Sequence, residues 1–130
     1  MKIEIKNPPR TFNVGPTGHI QMKDCANIEL EPDEQITLKT KSGTEYDIAK
    51  KSFGYYATPS LNGRLLQFGL RAVLVKSPGS KYYILFIEKG KENVFFEYIQ
   101  KENQEIISWL DNDEVLQTLE KKAKEANLNG

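Results

Sequence analysis

The sequence predicts an α+β fold in which strands come first and helices enter only in the C-terminal half. Three observations predict it. Short alternating runs, such as residues 2–6 and 35–40, fill the first half of the chain. Two near-continuous apolar runs, residues 70–76 and 82–88, flank Pro78-Gly79. Beyond Lys91 the apolar spacing changes from a period of two to that of a helix.

At residues 2–6, Ile3 and Ile5 fall on one face and Lys2, Glu4 and Lys6 on the other, the pattern of a half-buried strand. Pro8, Pro9, Gly15 and Pro16 mark residues 7–17 as an irregular loop. Ile20 and Met22 predict a strand over 18–24, and Ile28 with Leu30 a second short one. After a polar turn at Glu31-Pro32-Asp33-Glu34, residues 35–40 direct Ile36 and Leu38 inward. Ser42-Gly43 turns the chain, and residues 44–49 place Thr44, Tyr46 and Ile48 on one face, completing a β-hairpin. Residues 51–63 do not alternate and contain Gly54, Pro59 and Gly63, so they read as a structured loop. Arg64 to Phe68 reads as one helical turn ending at Gly69.

The runs LRAVLVK and YYILFIE suit central strands covered on both faces. Pro-Gly between them suits a type II turn, so they are expected to pair as an antiparallel hairpin in the middle of the sheet. Val94, Phe95, Tyr98 and Ile99 form one face of a helix. Ile106, Ile107, Trp109 and Leu110 return to a strand over 105–110, with Trp109 in or beside the core. Asp111, followed by Glu114, is the expected N-cap of a second helix with a stripe of Val115, Leu116, Leu119, Ala123 and Ala126. Lys121, Lys122 and Lys124 suit its C-terminal end. The reading is a mostly antiparallel sheet with two helices, strands first and then β-β-α-β-α. One domain over residues 1–130 is preferred, because a split near residue 51 leaves each half small for its own core.

The chain has 18 Lys plus Arg and 18 Asp plus Glu, hence no net charge. Nucleic-acid binding and polybasic membrane anchoring both rest on a positive field, so both are disfavoured. One cysteine, Cys25, allows no internal disulfide, and one histidine, His19, leaves no His-based triad or His/Cys metal set. No metal and no cofactor are expected. The N-terminal residues lack the apolar run of a signal peptide, and no stretch approaches a membrane span. The expectation is a cytoplasmic protein without membrane insertion.

No G-x-G-x-x-G, Walker-type loop or G-x-S-x-G occurs. His19 reads as a loop or strand-edge histidine, and Cys25 as a small buried hydrophobe. Asp111-Asn112-Asp113-Glu114 lacks the glycine and the twelfth-position glutamate of a calcium loop, and helix capping accounts for it better. Glu31, Asp33 and Glu34 read as a solvated turn. Tyr82, Tyr83 and Phe86 could stack bases, but apolar residues on both faces of their run favour core packing.

One segment stands apart. Residues 53–64 carry Tyr55, Tyr56, Thr58, Ser60, Asn62 and Arg64, six hydrogen-bonding side chains, on a backbone specialised by Gly54, Pro59 and Gly63. A rigid loop with aromatic and polar groups is a common way to build a binding site, and these six residues are the candidate site. The competing reading is that the hydroxyls satisfy the loop's own backbone. This segment, the following LLQFGLRAVLV and the later Trp109-Leu110-Asp111 resemble a small bacterial protein family of unknown function, over roughly residues 25–113. The resemblance implies a bacterial cytoplasmic accessory protein associated with gene neighbourhoods for surface-polysaccharide synthesis, and carries over no catalytic residue. The function expected is a non-catalytic binding or accessory module. Its partner would be a protein or a small polar ligand, and a homo-oligomer is compatible with it. A small enzyme acting on a sugar or nucleotide-sugar, and a nucleic-acid binder, are the alternatives.

Overall fold

The computed structural model describes residues 1–130. The order of elements is β1 (Lys2–Val14), β2 (Ile20–Glu29), β3 (Gln35–Lys39), β4 (Glu45–Lys51), β5 (Gly54–Ala57), α1 (Arg64–Gln67), β6 (Leu70–Lys76), β7 (Tyr82–Glu88), α2 (Glu92–Lys101), β8 (Glu105–Trp109) and α3 (Asp113–Glu125). The fold class is α+β, with antiparallel sheets and helices in the C-terminal half. Three sheets form, with orders β1-β2, β3-β4-β5 and β7-β6-β8. No helix is long and apolar enough to cross a membrane. The chain divides into two compact units, Met1–Thr37 with Asp47–Thr58, and Leu38–Tyr46 with Pro59–Gly130.

In the first unit β1 and β2 make a long two-stranded ribbon. The prolines at 8 and 9 do not end the strand, as the sequence led us to expect. The ladder instead shifts register between Ile5 and Arg10, and resumes with Arg10 opposite Asp24. A proline has no N–H to donate, and an irregular stretch of ladder is where a strand tolerates one. Lys6 and Arg10 flank the irregularity and converge on the Asp24 carboxylate, holding it below its usual range, Lys6 most strongly. The chain turns between Val14 and Ile20, with Gly15 and Gly18 both at positive φ. The two strands expected around residues 18–30 are one, Ile20–Glu29. Ile3 and Ile28 are cross-strand partners, as are Phe12 and Met22, yet all four are exposed. The strand at residues 2–6 is therefore present without its half-buried face. A two-stranded ribbon has no second layer to cover it.

The second unit holds the packed core. β6 is the centre of its sheet and is covered on both sides, with Ala72, Val73 and Val75 fully buried. Val73 and Val75 face α2, where Phe95 and Ile99 close over them together with Ile87. Leu70 and Ala72 face the other way, against Leu65 of α1, with Tyr46, Leu61 and Leu110 at the margin. The turn of helix ends where expected, at Gly69 with φ of +86°. A β-carbon there would meet Thr44 Cγ2 at 3.0 Å, so glycine is needed for space as well as for backbone.

The hairpin of residues 70–76 and 82–88 forms antiparallel as expected, from Leu70 opposite Glu88 to Lys76 opposite Tyr82, but its turn is not the expected type II, since Ser80 rather than Gly79 takes positive φ and the Ser77 N–H bonds to the Lys81 carbonyl. Its place in the sheet does not match. β7 is an edge strand, and Tyr82, Tyr83, Ile84 and Phe86 are exposed rather than packed in the core. A three-stranded sheet has one central strand, and β8 took the second side of β6. The other departures are local. In α2, Phe95 and Ile99 are buried while Val94 and Tyr98 are exposed. The cap of α3 is Asn112, whose side chain accepts from the N–H groups of Glu114 and Val115 at 2.7 and 3.3 Å. Asp111 is drawn instead to Arg71. The helix so capped buries none of its residues.

A carboxylate at the end of β7 organises the β3–β4 turn of the same unit. Glu88 Oε2 pairs with Lys91 Nζ at 2.7 Å. Its other oxygen accepts from Thr40 at 2.7 Å, from Thr44 at 3.0 Å and from Ser42. Lys91 first, then the three hydroxyls, stabilise the charged form and hold the carboxyl down to about 2 from an ordinary value of 4.5. The stabilisation by this group is therefore complete above the ordinary value and is lost as pH falls toward 2. Urea unfolding of wild type and Glu88→Gln across a pH series is expected to show a constant gap in stability above pH about 5, closing toward zero near pH 2. A gap that persists undiminished at pH 2 would show that the hydroxyl cluster does not act through the charge.

Candidate functional site

The structure does not gather the six candidate residues into one loop. Residues 54–57 are a strand, β5, paired to β4 with Lys51 opposite Gly54, Lys50 opposite Tyr55 and Ala49 opposite Tyr56. Ser52 and Phe53 are left as a two-residue turn. Gly54 follows it at φ +143°, a backbone that side-chain-bearing residues rarely adopt. Tyr55, Tyr56 and Thr58 thus belong to the first unit, and Ser60, Asn62 and Arg64 to the second. The loop reading failed because one glycine and a four-residue strand leave too little alternation to read.

In the second unit the polar groups serve the fold. Ser60 Oγ accepts from the Arg64 N–H at 2.9 Å and so starts α1. Asn62 Nδ2 donates to Asp113 Oδ1 at 2.7 Å, tying the segment to the first residue of α3. The Arg64 guanidinium lies 5.2 Å from the centre of the Phe68 ring. Thr58 in the first unit is half-buried, and its N–H donates to the Asp47 carbonyl at 3.3 Å.

Tyr55 and Tyr56 stand differently. They are 69% and 52% exposed, on opposite faces of β5, and the turn that precedes them presents Phe53 at 79% exposure. Phe53 is the residue that sequence reasoning passed over. Its signal was present, an aromatic residue one place before a glycine at the tip of a tight hairpin, where no neighbour can cover it. Lys50 lies beside the patch, with its ammonium 5.9 Å from the Tyr55 ring centre. Lys51, the last residue of β4, is held by Asp33 at 2.6 Å, which lowers that carboxyl. The β4–β5 tip is thus an aromatic knob with one cation at its side.

The other sequence candidates offer less. His19 lies exposed with its Nδ1 against the Thr17 hydroxyl. Cys25 is exposed rather than buried, because the ribbon carries it with nothing packed above. No group of three or more His, Cys, Asp or Glu side chains is placed to hold a metal ion. An open depression on the ribbon is lined by Lys2, Ile3, Glu4, Asn27, Ile28 and Glu29. Its two carboxylates and one ammonium lie on exposed strand positions. Compared with known proteins, the chain matches no family model, no curated protein and no solved structure.

Proposed function

We propose that the chain is a non-catalytic binding module that engages a protein partner through the β4–β5 hairpin tip. The observation that carries this reading is the exposure of Phe53, Tyr55 and Tyr56 together on one tight turn and its adjoining strand. Aromatic side chains lose little freedom when ordered and cover much apolar area, which makes them the usual anchors of protein interfaces. A two-residue hairpin holds such anchors at low entropic cost. Lys50 beside Tyr55 adds a cation suited to an acidic rim on the partner. The resemblance noted over roughly residues 25–113 supports reading such a module as a bacterial cytoplasmic accessory to surface-polysaccharide synthesis.

The test compares wild type with the double variant Phe53→Ser, Tyr55→Ser as immobilised baits in extract. The variant is expected to keep its urea midpoint, since exposed substitutions change stability by about 0.5 kcal/mol or less. It is expected to lose the retained protein, because removing two anchors costs on the order of 2 kcal/mol or more of binding. Equal retention by both baits would place the site away from the tip. Ser60→Ala and Asn62→Ala serve as the contrast, with the reverse pattern expected, namely reduced stability and unchanged retention.

A further inference from the structure

We propose that β7 is the self-association edge of this protein, pairing antiparallel with β7 of a second copy to join two three-stranded sheets into one of six. The backbone makes the first part of the case. Lys81 O accepts from Ser77 N at 2.8 Å and Lys89 N donates to Gly69 O at 2.9 Å, so odd-numbered residues of this strand bond toward β6. In an antiparallel ladder the alternate residues point the other way. The N–H and C=O groups of Tyr82, Ile84 and Phe86 therefore line the outer edge, where no strand pairs, and the Glu88 carbonyl beyond them accepts from the Lys91 N–H at 3.0 Å. A natural edge strand is blunted with central charges, proline or a bulge. This one has none between Tyr82 and Ile87.

The occupant follows from symmetry and charge. A two-fold axis normal to the sheet keeps each side chain on its own face, so it pairs even-numbered residues with even-numbered ones. Of those, Tyr82, Ile84 and Phe86 have open backbone groups, and each meets one of the three in the second copy. With the axis at Ile84, Tyr82 of one copy faces Phe86 of the other, Tyr83 faces Leu85 and Lys81 faces Ile87. No like charges meet within the strand, and Glu88 comes opposite Ser80. An axis at Leu85 would set Lys81 against Lys89 and is disfavoured. Tyr82, Ile84 and Phe86, all exposed in the single chain, become a continuous stripe of six across the junction. Tyr46 extends it, with its ring centre 4.3 Å from that of Phe86.

The experiment is sedimentation equilibrium of the full chain up to about 100 µM, where a contact of micromolar strength is saturated. Wild type is expected to be a dimer. Ile84→Pro removes an N–H that β6 does not use, and Ile84→Lys puts a charge on the axis. Each is expected to weaken dimerisation at least tenfold while the fold is kept. If the proline variant unfolds, the lysine variant decides. In the Cys25→Ser background, Ile84→Cys is expected to form a disulfide-linked dimer, since facing hydrogen-bonded residues stand about 5.5 Å apart between Cα atoms. A monomeric wild type overturns the proposal. So does a dimer that Ile84→Lys leaves intact, or one abolished instead by Ile5→Lys on the β1–β2 ribbon.

Discussion

Trp109→Ala is expected to destabilise the protein by about 3 kcal/mol, the lower part of the range for truncating a large aromatic, since this residue is half-buried. Trp109 is paired with Val73 at the centre of the second unit's sheet. The Phe95 and Phe96 rings of α2 meet its ring edge-on, with centres at 5.7 and 6.5 Å. Phe95 is itself buried and shares a cluster with Val73, Val75, Ile87 and Ile99. Truncation thus opens a void between β8 and α2 and leaves the largest residue of the cluster without its neighbour. Urea unfolding followed by far-ultraviolet circular dichroism measures the loss. A midpoint unchanged from wild type would mean that α2 closes onto the sheet without the indole.

Arg71→Met is expected to cost a similar amount, about 3 kcal/mol, by a different route. The Arg71 guanidinium lies 3.9 Å from the Trp109 ring centre and donates from Nε to Asp111 Oδ2 at 2.7 Å. Its Nη1 stands 3.6 Å from Glu92 Oε2. Asp111 first, then Glu92, favours the charged guanidinium and raises its pKa. Methionine keeps much of the stem and removes the cation. The Asp111 side chain, only 6% exposed, is then left covered with its charge unpaired. Much of the cost comes from that stranded carboxylate rather than from the value of the pair. The double variant Arg71→Met, Asp111→Asn is accordingly expected to recover part of the loss in the same unfolding assay. Equal stability of the single and double variants would assign the cost to the cation on the indole instead.

The extent to which this fold could be read from sequence follows the range of the interactions concerned. Hairpin pairing of residues 70–76 with 82–88, the helical turn ended by Gly69 and the helix after Lys91 are local, set by period, turn residues and backbone freedom within a few positions. All were legible. The strand through Pro8 and Pro9 was not, because a proline pair reads locally as a break and only the ladder with β2 on either side of it carries the strand through. The same holds for the helix cap. Asp111 and Asn112 are comparable caps in isolation, and only Arg71, forty residues earlier, claims the aspartate.

The candidate site divides along the same line. The sequence by itself determined that residues 53–64 are dense in aromatic and polar groups, and that a strand-rich first half leads to a helix-bearing second half. The tertiary structure decided which of those groups are free to bind. It used Ser60 and Asn62 to anchor α1 and α3, stacked Arg64 on Phe68, and left Phe53, Tyr55 and Tyr56 uncovered. It also decided that the apolar run of β7 lies on an edge, not in the centre of a sheet. Hydrophobicity says that a side chain gains by leaving water. Whether it can leave depends on how many layers and strands the rest of the chain supplies to cover it, and three strands leave two edges open.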